Sequence, residues 1–145
     1  MELKPKFGLD QLLFGMKQKD VESLYGKADS VFKDEDDNQI LLYNALKARL
    51  TFYQEEDFRL GYIIISNPEI LLFNQKVIGQ DIIEEKSFLI KKGFTLFEEE
   101  VFDSVTNYFN EENWIILQAE FGQVIKVEMG AIIKNQDEFD WKFKA

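Results

Sequence analysis

The sequence predicts an α+β fold: an antiparallel sheet with helices on one face. Three observations point there. Two short segments with apolar residues at helical spacing end in glycine. The segments after each alternate apolar and polar residues in the manner of half-buried strands. The order runs helix, strands, helix, strands over 145 residues, with only two prolines.

Lys17 to Tyr25 reads as the first helix, with Val21, Leu24 and Tyr25 on one side and Gly26 as its stop. Gln39 to Asn44 reads as a strand around Leu41, Leu42 and Tyr43. Ala48 to Gln54 alternates, with Leu50 and Phe52 on one side and Arg49, Thr51 and Tyr53 on the other. Glu55-Glu56-Asp57 turns the chain. Phe58 to Ser66 is the next strand, ended by Asn67-Pro68, and Glu69 to Phe73 reads as a short extra strand.

Asp81 to Lys92 reads as the second helix, with Ile82, Ile83, Lys86, Phe88, Leu89 and Ile90 forming a broad side and Gly93 ending it. Glu98-Glu99-Glu100 reads as an acidic turn. Val101 to Phe109, Trp114 to Glu120 and Gln123 to Met129 read as strands, with a tight turn at Phe121-Gly122. Ala131 to Lys134 extends the sheet. The segment Asp137 to Lys144 is a polar tail docked by Phe139, Trp141 and Phe143.

One domain, residues 1–145, is expected at this length. It divides into halves 7–74 and 75–134 and a tail 135–145. An offset of 64 to 65 residues superposes Gly15 on Gly79, Leu24-Tyr25 on Phe88-Leu89, Leu50 on Ile115 and Phe52 on Leu117. The second half therefore reads as a tandem copy of a helix-plus-antiparallel-strands unit.

Composition narrows the chemistry. The chain has no Cys and no His. That excludes disulfides, thiol nucleophiles, Ser-His-Asp catalysis and the usual zinc sites. No enzyme activity, no metal and no cofactor are expected. A net charge of −10 disfavours nucleic acid and anionic membranes, and points to a basic protein partner or to solubility alone. The residues from Met1 to Phe7 do not form an apolar stretch of leader length, so a cytoplasmic location is expected.

Asp34-Glu35-Asp36-Asp37-Asn38 opens like a calcium loop, but Gln39 and Ala45 stand where such a loop needs glycine and glutamate. It reads as a solvated acidic turn. The eight glycines are scattered and build no phosphate loop.

The stretch Phe14-Gly15-Met16, Asp20-Val21 and Gly26-Lys27-Ala28, followed by Tyr43, Leu50, Phe52, Leu60 and Ile63, resembles three groups. These are the small outer-membrane-assembly lipoproteins, the β-lactamase-inhibitor-protein fold, and small acidic bacterial immunity-type proteins. The resemblance implies a twice-repeated helix-plus-sheet unit and a role in binding protein without catalysis. The anchor cysteine of the lipoproteins and the disulfides of the inhibitor are missing here.

Strand alternation then places Arg49, Tyr53, Arg59, Trp114, Ile116, Gln118 and Lys126 on the side of the sheet away from the helices. On the last strand it puts Ile125 and Val127 inward and Val124, Lys126 and Glu128 outward. Tyr, Trp and Arg are the residue types that anchor protein interfaces. These seven residues form the expected site of a non-enzymatic, inhibitor-type or immunity-type module that binds a bacterial protein. The tail or a second copy in a homodimer is the alternative cover for this face. A small-ligand domain with a Phe-lined pocket is the alternative function.

Overall fold

In the computed structural model, which describes residues 1–144, the chain is mixed α+β and mostly antiparallel. It begins with three very short strands, β1 (Glu2–Lys4), β2 (Gly8–Leu9) and β3 (Leu12–Leu13), then α1 (Gln18–Tyr25). Four strands follow: β4 (Ser30–Lys33), β5 (Gln39–Tyr43), β6 (Ala48–Tyr53) and β7 (Arg59–Ile65). A small hairpin, β8 (Leu71–Leu72) and β9 (Gln75–Lys76), leads to α2 (Ile82–Lys91). Four more strands come next: β10 (Glu98–Phe102), β11 (Val105–Asn110), β12 (Ile115–Glu120) and β13 (Gln123–Gly130). The hairpin β14 (Ile133–Asn135) and β15 (Glu138–Phe139) closes the chain.

The two sets of four strands form one antiparallel sheet in the order β10-β11-β12-β13-β7-β6-β5-β4. They join where β13 pairs with β7. A second sheet, β3-β2-β1-β8-β9, includes one parallel pair, β1 with β8. Its Leu3, Leu9, Leu12 and Leu72 are buried in the same cluster as Leu50, Ile63, Leu117 and Val127 of the large sheet and Val21, Ile82 and Leu89 of the helices. Both helices and the small sheet thus cover one face of the large sheet.

The helices are placed by their ends. At the start of α1 the Lys17 amide donates to the Asp20 carboxylate at 3.0 Å. At the start of α2 the Glu84 amide donates to Asp81 at 3.0 Å. Gly26 closes α1 with φ 79°, a conformation that glycine adopts without penalty. The buried stripe of α2 is Ile82, Glu85 and Leu89, while Ile83 is 64% exposed and Ile90 41%. The expected stripe containing Ile83 and Ile90 is corrected: those two share the solvent side.

Four other expectations are corrected. Val101 to Phe109 is not one strand: Asp103, at φ 52°, turns the chain into a hairpin. Glu98-Glu99-Glu100 is not a turn but most of edge strand β10. Carboxylates on an exposed edge discourage pairing with other chains, which suits them to that place. On β13 a bulge aligns Gln118 with Lys126 and Ala119 with Val124, so Ile125 is the extra residue. Val124 is therefore buried and Ile125 is not. Finally, residues 133–135 pair with β15 and do not extend the sheet. Strand β8 lies within the expected short strand Glu69 to Phe73, whereas β1, β2, β3, β9 and β4 were not legible in the alternation, because their paired segments are only two to four residues long.

Candidate functional site

The side of the large sheet away from the helices carries all seven expected site residues, but it does not treat them alike. One row of cross-strand neighbours crosses the whole sheet: Ser30, Leu42, Arg49, Ile64, Glu128, Ile116, Phe109 and Glu98. Pairing register alone brings Arg49 and Ile116 into that line. A parallel row holds Lys126, Gln118 and Asn107, in which the Gln118 amide donates to Asn107 at 2.9 Å.

Trp114 precedes β12 with φ 48°, a backbone conformation uncommon for a bulky residue. Its indole lies over Gly130, where an added Cβ would come within 2.9 Å of the ring. Edge-to-face contacts fix it against Tyr62 at 5.2 Å and Phe109 at 5.0 Å.

Two residues outside the expected site complete the centre, Tyr62 and Glu128, the second of which alternation already turns outward. The Tyr62 hydroxyl donates to Glu128 Oε1 at 2.5 Å. Lys126 Nζ stands 3.8 Å from the other carboxylate oxygen. Burial, and then the bond and charge of Glu128, hold the Tyr62 phenol far above its usual pKa. Its outward place in the alternation of β7, beside inward Ile63, is the signal in the sequence that points to Tyr62.

Arg49 is exposed, with its guanidinium 5.8 Å from the centre of the Phe32 ring. A shallow groove of about 440 Å³ runs from Lys47 and Arg49 past Ile64 to Lys126. At the far end of the face a second groove of about 610 Å³ is lined by Leu96, Glu98, Phe109, Glu111 and Glu112. The face is thus basic at one end and acidic at the other, which the net charge of −10 conceals.

Tyr53 and Arg59 belong to a different environment. The Tyr53 ring fills the space over Gly61 and meets Phe139 at 5.7 Å. Phe139 stacks on Trp141 at 4.7 Å. The Arg59 guanidinium donates to the Gly15 carbonyl at 3.0 Å. The amides of Lys142 and Phe143 bond the Phe14 carbonyl, at 3.2 and 3.0 Å. The C-terminal segment is docked by its rings, as expected, and it occupies this corner of the face. Arg49, Trp114, Ile116, Gln118 and Lys126 remain clear of these tail contacts.

Away from the face, α2 holds Glu85 at 5% exposure, and its Oε2 has no hydrogen-bond partner among the described residues. Burial raises its pKa to about 7. Among the described residues no group of three or more acidic side chains is placed to hold a metal ion. No helix there is long and apolar enough to cross a membrane.

No family model matches the sequence, and no curated relative matches it. Solved structures that share the fold include two bacterial proteins. One is an extracellular protein containing an SCP domain from Bacillus anthracis, at 9% identity and a TM-score of 0.52. The match covers 81% of this chain and 43% of that one. The other is a cysteine-rich secretory protein from Staphylococcus aureus, at 14% identity and a TM-score of 0.50. That match covers 81% of this chain and 44% of that one. The chain therefore spans less than half the length of either neighbour.

These neighbours overturn the resemblance to the assembly lipoproteins, the β-lactamase-inhibitor-protein fold and the immunity-type proteins. The physical reason lies in what the quoted pattern encodes. A glycine, a short helix face, a second glycine and an alternating strand pair describe capping and pleat, which unrelated folds share.

Proposed function

We propose that this chain is a non-enzymatic protein-binding module that holds another polypeptide against the open face of its large sheet. The observation that carries the reading is the row through Arg49, Ile64, Ile116 and Phe109, with Trp114 braced beside it. A braced indole loses little side-chain freedom on binding, so its contact area is gained at low entropic cost. The matched part of each neighbour is under half of its chain, so the fold occurs there beside further polypeptide. That context suits a module working against another surface.

The same proposal takes the two halves as copies of one helix-plus-four-strand unit. Gly15 and Gly79 precede the helices by the same interval, and both bulges, at Gly61 and Ile125, lie 64 residues apart. The pairing of β7 with β13 survives the exchange of halves: Ile63 with Met129 becomes Val127 with Ile65. The duplication explains how a sheet this wide arises from short meanders.

Capture of protein from cell extract by immobilised wild type and by Trp114→Ala tests the binding reading. The variant is expected to lose what the wild type retains, at an unchanged far-ultraviolet spectrum. Equal capture by both removes the site.

A second reading, a small-ligand domain, is favoured by one observation. Beside α1 a cleft of about 480 Å³ is lined by Lys17, Gln18, Lys33, Phe52 and Phe58. A thermal-shift screen of small organic anions addresses it, and stabilisation lost in Lys33→Gln is the supporting result.

A further inference from the structure

We propose that the open sheet face pairs with the same face of a second copy of this chain, about a two-fold axis parallel to the strands and between β12 and β13. The inference rests on the docking reading above and names the occupant. What carries it is the order of charges across the sheet.

Two rows run from cation to carboxylate. The first is Arg49, Ile64, Glu128, Ile116, Phe109 and Glu98. The second, one step along the strands, is Lys126, Gln118, Asn107 and Glu100. Lys47 extends that second row, since its carbonyl accepts the Ser66 amide at 3.0 Å beside β7. None of Lys47, Arg49, Glu98 and Glu100 makes an ion pair among the described residues.

A two-fold axis along the strands reverses strand order and keeps position along each strand. Strand β6 of one copy then lies over β10 of the other, β7 over β11, and β13 over β12. Arg49 meets Glu98, Lys47 meets Glu100, and Ile64 meets Phe109. At the centre Glu128 faces Ile116, and its charge is already met by Tyr62 and Lys126. The alternative axis, across the strands, would set cation on cation, so charge selects one of the two orientations.

Size agrees. Six strands at about 4.8 Å spacing span ~25 Å, and three rows of side chains along the strands span ~20 Å. The projected area is ~500 Å², and side-chain relief brings it toward the ~800 Å² per partner of a standard interface. Two sheets packed with strands aligned stand about 10 Å apart, within reach of long cations and carboxylates.

The test is a charge swap read by light scattering and sedimentation. At low salt (about 50 mM) the wild type is expected at twice 17.1 kDa. Lys47→Glu with Arg49→Glu makes both ends of the face acidic. Glu98→Lys with Glu100→Lys makes both ends basic. Each double variant alone should dissociate at least about tenfold more readily. An equimolar mixture of the two should restore the dimer, which also shows that both variants are folded. A wild type monomeric at ~0.5 mM, two variants as dimeric as wild type, or a mixture that stays monomeric overturns the proposal. A monomeric wild type whose capture of other protein still depends on Trp114 sinks the dimer and leaves the docking reading standing.

Discussion

Tyr53 occupies the space that a side chain at residue 61 would need: a Cβ built on Gly61 would fall 2.1 Å from the Tyr53 ring. Residue 61 is the extra residue of the bulge between β6 and β7, where Thr51 pairs with Tyr62 and Phe52 with Leu60. The ring therefore lies flat on the bulge, and Phe139 of the C-terminal hairpin packs on it. Gly61→Ala is expected to destabilise the fold by about 1–3 kcal/mol, because the ring must leave its place. Urea unfolding measures the loss. In Gly61→Ala combined with Tyr53→Ala the penalty should shrink, since the obstructing ring is gone.

Glu85 predicts a dependence of stability on pH. Its pKa is about 7 in the folded chain against 4.5 for the free group, through burial. The folded state therefore holds this proton more tightly than the unfolded state. The stabilising contribution is full below about pH 4.5, declines as pH rises toward 7, and is gone above it. Glu85→Gln should raise stability by roughly 1–3 kcal/mol at pH 8 and change little at pH 4. Denaturant titrations of both proteins at the two pH values check this, and an equal shift at both would contradict it.

The pair Tyr62 and Glu128 gives a third expectation. Tyr62→Phe leaves a half-buried carboxylate with one partner fewer. The cost should be about 1–2 kcal/mol. Tyr62→Phe with Glu128→Gln should recover part of it in a double-mutant cycle, because the uncompensated charge is removed.

Removal of the tail rings exposes a corner of the face. Trp141→Ala takes away the stacking partner of Phe139 and the group packed on Gly15, where a Cβ would come within 3.1 Å of it. A loss of about 2–4 kcal/mol is expected for a partly buried ring. Amide exchange at Lys142 and Phe143, whose amides bond Phe14, should quicken more than exchange in β12.

The edge strand β10 yields a fifth prediction. Val101 is 70% exposed and Phe102 47%, and three glutamates precede them. Replacing Glu98, Glu99 and Glu100 with threonine should leave the fold intact and promote aggregation on storage, followed by light scattering.

Helix limits, strands β5, β6, β7, β12 and β13 and the alternation on β6 and β12 were legible in the residues. Each is set by neighbours a few positions away: a glycine stop, an Asp cap, a period of two. By those local rules the sequence alone determined an α+β chain with Arg49, Ile116, Gln118 and Lys126 turned from the core. The remaining features came from contacts made in three dimensions. Pairing across β12 and β13 made Ile125 the bulged residue and buried Val124. The meeting of β13 with β7 put Glu128 beside Tyr62. The return of the C-terminal rings set Phe139 on Tyr53, and the approach of Gly15 gave Arg59 its hydrogen-bond partner. These outcomes depend on contacts between residues distant along the chain, and no local period encodes which strand will be the neighbour.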